Sequence, residues 1–139
     1  MTDKEKEARI QQALDNHKKG YNCAQAVSCA FCDLTNTDEK TMFTVTEGLG
    51  LGMGCMEGTC GAISASAVLS GFKNSTAHLE KPNSKAASYK DSKTCVKAFQ
   101  DLHGTVVCKD LKGVETGKVI RSCDGCIEDA ARIIAENLF

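Results

Sequence analysis

A chain of 139 residues can form one domain that buries about two-thirds of its unfolded surface without covalent staples. Its net charge of −1, dispersed lysines, scarce aromatics and lack of tryptophan argue against nucleic-acid or anionic-membrane binding. The anomaly is nine cysteines, at positions 23, 29, 32, 55, 60, 95, 108, 123 and 126. The charged stretch from Met1 to Arg9 has no apolar core of a secretory signal, and the longest apolar run, around Ala62 to Leu69, is too short to span a bilayer. The expected setting is therefore cytoplasmic and reducing, with no membrane insertion and with thiols in place of standing disulfides.

Apolar residues recur at helical spacing and no stretch alternates with period two, which predicts an all-α fold. The expectation is a single-domain helical bundle of about five main helices plus a short helical segment near Cys108. A first helix is read from about Asp3 to Lys19, with Ile10, Ala13, Leu14 and His17 on one face and Gly20 as its stop. Asn22 reads as the N-cap of a second helix to about Leu34, whose stripe of Cys23, Val27, Ala30, Phe31 and Leu34 turns Cys23 inward. Cys29 and Cys32 fall on another surface.

Asp38 caps a third helix to about Glu47, before the glycine run from Gly48 to Gly54. A fourth, from about Thr59 to Phe72, carries Cys60, Ser64, Ala67 and Gly71 as a small-residue face. The polar segment from Lys73 to Lys85, with Pro82, reads as an exposed loop. A fifth helix, Lys85 to His103, is expected to bury Tyr89, Val96, Phe99 and Leu102 before Gly104 stops it. Thr105 to Leu111, with Cys108, predicts one or two helical turns. The last helix, Ser122 to Leu138, turns Cys123, Ile127, Ala130, Ala131, Ile134 and Leu138 to the core.

Thr59 as an N-cap puts Cys60 in the first turn of a helix, where free N–H groups favour a thiolate and can lower a cysteine pKa from about 8.5 to about 3.5–7.5. The glycine run upstream lets backbone N–H groups approach a sulfur or an inorganic sulfide. A lone buried cysteine is usually a small hydrophobe. For four together on separate segments, Cys23, Cys60, Cys108 and Cys123, that reading is weaker, because a bundle can bring them within a few ångströms of one centre. Cys29, Cys32, Cys55, Cys95 and Cys126 read as accessories.

Four stretches resemble the C_GCAxxG_C_C family, named for its cysteine pattern. They are Gly20-Tyr-Asn-Cys-Ala-Gln-Ala-Val27, Gly50 to Gly54 with Cys60-Gly-Ala-Ile-Ser-Ala65, Gly104-Thr-Val-Val-Cys-Lys-Asp-Leu111, and Cys123 with Ile127, Ala130, Ala131 and Ile134. The resemblance covers nearly the whole chain and implies redox chemistry. It departs at Ala65, where the family's CGAxxG motif ends in glycine, and in the five further cysteines.

The leading expectation is an iron–sulfur cluster held by Cys23, Cys60, Cys108 and Cys123, serving electron transfer or redox sensing with a redox partner protein. A four-thiolate zinc site is the structural relative of that reading. The alternative is thiol–disulfide exchange, with Cys60 attacking and Cys108 or Cys123 resolving. Of the two CxxC pairs, Cys29–Cys32 and Cys123–Cys126, the second is better placed, at a helix start. A third reading is a non-catalytic module that senses metal or oxidation through these thiols. Gly50-Leu-Gly52 leads to Cys55 where a dinucleotide fingerprint needs glycine, so nucleotide binding is set aside. His17, His78, His103 and Glu57 read as solvated or capping groups.

Overall fold

The computed structural model describes all 139 residues and contains seven helices, in chain order α1 (Asp3–Lys18), α2 (Cys23–Cys29), α3 (Glu39–Thr46), α4 (Gly61–Asn74), α5 (Lys85–His103), α6 (Cys108–Lys112) and α7 (Cys123–Asn137). The fold is all-α, as the spacing predicts. No helix is long and apolar enough to cross a membrane.

Helix α2 is the hub and packs against α1, α3, α4 and α7. Most of its residues are small, so four neighbours can approach, and every position from Ala24 to Cys29 is buried. A helix covered on all sides has no polar stripe, which is why Cys29 is buried at 7 % exposure and does not lie on a separate outer surface. The helix also ends sooner than the stripe predicts, followed by a 3-10 turn at Cys32–Leu34 that leaves Leu34 exposed. Arg9 closes this end: its guanidinium donates to the Ala30 carbonyl at 2.8 Å and grips Asp33 through two bonds of 2.7 and 2.9 Å. Buried Asn16 ties α1 to α2 by donating to the Ala26 carbonyl at 3.1 Å.

One core runs through the molecule, with Phe31, Met42, Ile63, Leu69, Phe99, Ile127 and Ile134 wholly buried. Ala65, the departure from the family's glycine, lies wholly inside it. On α5 only Cys95 and Phe99 are buried, while Tyr89 and Leu102 stand out at 67 % and 62 % exposure. The reason is position: α5 is covered on one side, by α4 and α7, and its other faces meet solvent.

Between α3 and α4 the chain makes a tight left-handed turn. Leu51, Gly52, Met53 and Gly54 have φ of 55°, 56°, 66° and 78°, closed by a bond from the Gly54 N–H to the Gly50 carbonyl at 2.9 Å. For Leu51 and Met53 this conformation costs about 1–2 kcal/mol each. The surrounding ladder holds it, with the Met56 N–H on the Leu51 carbonyl at 2.8 Å and the Gly58 N–H on the Gly52 carbonyl at 3.0 Å.

Within the hub, the Ser28 hydroxyl is wholly buried without a hydrogen-bond partner. A buried unsatisfied group costs about 1–3 kcal/mol, so Ser28→Ala is expected to raise the urea midpoint of unfolding. A lowered midpoint would show that the hydroxyl is satisfied.

Candidate functional site

Local sequence sets each cysteine at the start of an element. Asn22 caps α2 with a reciprocal pair of 3.0 Å bonds, its side chain accepting from the Gln25 N–H and the Gln25 side chain accepting from the Asn22 N–H. The Asn22 amide also donates to the Glu47 carbonyl at 2.8 Å. Cys23, the first residue of α2, is thereby fixed.

Cys60 and Cys108 are fixed together. Thr59 and Val107 form an antiparallel bridge, with the Cys60 N–H on the Val106 carbonyl at 2.7 Å and the Cys108 N–H on the Gly58 carbonyl at 3.0 Å. Cys60 is itself the N-cap residue of α4, one position before the first turn expected from Thr59. Cys123 is the first residue of α7, where the Ser122 hydroxyl accepts from the Gly125 N–H at 3.0 Å.

All four cysteines line one cavity of about 200 Å³, together with His17, Asn22, Leu51, Leu111, Lys112, Arg121 and a fifth cysteine, Cys126. No carboxylate lines it. Cys60 and Cys108 are each 6 % exposed and Cys126 2 %, Cys23 is half-buried, and Cys123 is exposed at the rim. Cys123 therefore differs from its expected place on the core face: the first turn of α7 sits at the mouth, and the helix enters the core only from Gly125 onward. Cys126 is the member that sequence reasoning left among the accessories. Its signal was the three-residue spacing from Cys123, which puts both on one side of a helix.

Close approach is what the glycines supply. A Cβ on Gly61 would lie 2.6 Å from the Cys23 sulfur and 2.9 Å from the Leu49 carbonyl oxygen. A Cβ on Gly52, where φ is already left-handed, would collide with the Cys108 side chain.

Three of the cavity thiols, Cys23, Cys60 and Cys108, are pushed toward their neutral forms for a physical reason. The Cys23 thiol is pushed well up by its contact with the Cys60 thiol, then by burial, against the opposing pull of the Leu51 and Ala24 N–H groups on its sulfur. Cys60 is pushed up to about 12, first by the neighbouring Cys126 thiol, with burial adding to it. The helix-start effect expected at Cys60 exists, as the Ala62 N–H on its sulfur, but it is outweighed. Cys108 is pushed up by burial, with the Lys112 charge opposing.

At the rim, the Lys112 ammonium donates to the Cys123 sulfur at 3.3 Å, and this bond raises the Lys112 pKa. Arg121 is held by Asp129, Nε to Oδ2 at 2.9 Å, and Asp129 also meets His103 Nε2 at 2.9 Å. His17, expected to be solvated or capping, lines the cavity and pairs with Asp124 through Nδ1 at 2.7 Å. Glu57 lies outside, in an ion pair with Lys109 at 2.9 Å.

The remaining cysteines stay apart. Cys29 and Cys95 are buried and pushed up to about 12, in both cases first by burial, so they behave as packing residues. Cys32 is half-buried near Asp33 and Glu39, and Cys55 is exposed outside the cavity lining. All nine cysteines are free thiols, and no three His, Cys, Asp or Glu side chains are arranged to hold a single metal ion.

Two outcomes follow for the metal-free reduced protein. A thiol at about 12 is thiolate in only about one molecule in 10⁴ at pH 8, so Cys29, Cys60 and Cys95 should resist iodoacetamide until unfolding while exposed Cys55 and Cys123 react first, as peptide mapping would read. Rapid native labelling of Cys60 would contradict the thiol environment described. Gly61→Ala should destabilise the fold by about 1–3 kcal/mol through overpacking against Cys23, measured by urea unfolding; an unchanged midpoint would show that the Cys23 segment yields freely.

The chain matches a family model described as "Putative redox-active protein (C_GCAxxG_C_C)" over residues 21–137. No curated protein and no solved structure is matched.

Proposed function

The chain belongs to the C_GCAxxG_C_C family, and from that premise we propose that it is a redox protein whose cavity binds an iron–sulfur cluster through Cys23, Cys60, Cys108 and Cys123, for electron transfer or redox sensing. The observation that carries this reading is the gathering of five sulfurs from four chain segments around one cavity of about 200 Å³ with no carboxylate in its lining. Four thiolates are the usual ligand complement of a cluster. The zinc relative of this reading needs four donors about 2.3 Å from one point, an arrangement that the free thiols do not show.

When bound, the cluster supplies a one-electron couple; the chain supplies the rest. Leu51 and Ala62 N–H groups are directed at the sulfurs of Cys23 and Cys60, and hydrogen bonds to sulfur raise a cluster's potential. Lys112 and Arg121 bring positive charge toward the thiolates. Leu51 and Leu111 give the cavity apolar walls, and the rim position of Cys123 keeps the redox centre near a docking partner.

Reconstitution with ferrous iron and sulfide under argon tests the reading. Wild type should gain visible charge-transfer absorption with equal iron and acid-labile sulfide. Cys60→Ser and Cys108→Ser should lose it, and Cys95→Ser should keep it. A colourless, iron-free wild type of full helical content would overturn the cluster.

One observation favours a second reading. Cys123, exposed, bonded to Lys112 and followed by buried Cys126, has the layout of an attacking and a resolving thiol, a role for which Cys60 is too deeply buried. Reduction of a small disulfide by metal-free protein, lost in Cys123→Ser, would support it.

A further inference from the structure

We propose that Cys123, Cys126 and Cys60 form a thiol relay by which a small disulfide oxidant, meeting the protein with no cluster in its cavity, drives formation of a core disulfide between Cys60 and Cys126. The inference rests on the cluster reading only for its consequence, and it gives a task to the sulfur that a four-thiolate cluster leaves over.

Three placements carry it. Cys60 and Cys126 are closed to solvent, at 6 % and 2 % exposure, so an oxidant in solution cannot reach them directly. Cys123 is the one cavity thiol fully at the surface. Cys126 follows it by three residues, nearly one turn along α7, and on its inner side meets the Cys60 thiol. The sulfurs thus lead from the exposed Cys123 to two buried thiols in contact, Cys126 and Cys60.

Lys112 polarises this order. His17 is paired with Asp124, and Arg121 with Asp129 and Glu128, whereas Lys112 has no carboxylate within ion-pair distance and gives its charge to the Cys123 sulfur at 3.3 Å. An ammonium within hydrogen-bond distance can hold the Cys123 sulfur in place as it attacks and again as it is expelled.

With a small disulfide RSSR of the glutathione class as oxidant, the Cys123 thiolate attacks one sulfur and expels RS⁻. Cys126, giving up its proton, attacks the Cys123 sulfur and expels the second RS⁻. Cys60, giving up its proton, attacks the Cys126 sulfur and expels Cys123 as the thiolate held by Lys112. Two protons pass to the two RS⁻ groups and two electrons to RSSR; the net change is two protein thiols and RSSR to one protein disulfide and two RSH. Cys60 is then no longer available as a ligand, so oxidation closes the cavity to cluster insertion until a dithiol reopens it.

The test exposes reduced, chelator-treated protein to glutathione disulfide, quenches in acid, alkylates, digests without reduction and maps linked peptides. Trypsin separates residues 41–73, with Cys60, from residues 122–132, with Cys126, and fragmentation assigns the sulfurs against Cys55 and Cys123. The expected end product is Cys60–Cys126. Cys123→Ser should slow its formation at least about tenfold, and Cys126→Ser, with helicity checked by circular dichroism, should leave glutathione on Cys123 and Cys60 reduced. Cys126→Ser should still take up iron, and oxidised wild type should not until treated with dithiothreitol. A Cys123–Cys126 or Cys23–Cys60 end product, or an unchanged rate in Cys123→Ser, overturns the relay. Failure of every variant to bind iron while the Cys60–Cys126 link forms would sink the cluster and leave the relay standing.

Discussion

Two backbone hydrogen bonds, from the Cys60 N–H to Val106 and from the Cys108 N–H to Gly58, join parts of the chain nearly fifty residues apart and decide where the site can be. They make the only strand-like pairing in the fold. Once this pairing is set, α4 and α6 start beside each other, and the segment before them has little room. The left-handed turn at Leu51–Gly54 meets that constraint: it returns the chain within a few residues, directs the Leu51 N–H at Cys23, and lets Cys108 sit where a Cβ on Gly52 would be. Its backbone strain is offset by the ladder from Gly54, Met56 and Gly58.

Burial and reactivity are divided along the cavity. Deep sulfurs gain contact with one another and lose access to the charged form, as the raised pKa values of Cys23 and Cys60 record. The rim sulfur has water and an ammonium instead. A ligand that binds the deep sulfurs as thiolates must displace their protons, so its binding free energy works against the same burial that raises those values. The absence of carboxylates from the lining is consistent with this demand, because each would add repulsion to every thiolate formed.

Much of this was legible in the sequence. The caps Asn22, Asp38 and Ser122 and the stops Gly20 and Gly104 act locally, so the ends they govern stand where their residue types put them. The grouping of Cys23, Cys60, Cys108 and Cys123 was also readable, since each lies at a helix start. Long-range packing hid the rest. The exposure of Tyr89 and Leu102 depends on which sides of α5 are covered, and a periodicity that counts apolar residues does not carry that information. The pKa direction at Cys60 depends on Cys126, sixty-six residues away, whereas the sequence shows only the local helix start.

Cys126 illustrates the same limit in its sharpest form. Helical phase places residues three apart about 60° from each other and about 4.5 Å apart along the axis, so phase alone assigns Cys123 and Cys126 to one face. What separates them is depth. The helix begins at the cavity mouth, and that axial step is enough to carry the second sulfur from the rim to the interior, against Cys60. A CxxC pair at the start of a helix that points into a core is therefore a surface thiol joined to a buried one, and its chemistry is set by what the buried member meets. Here that is a third thiol, so the pair is the outer end of a longer sulfur path.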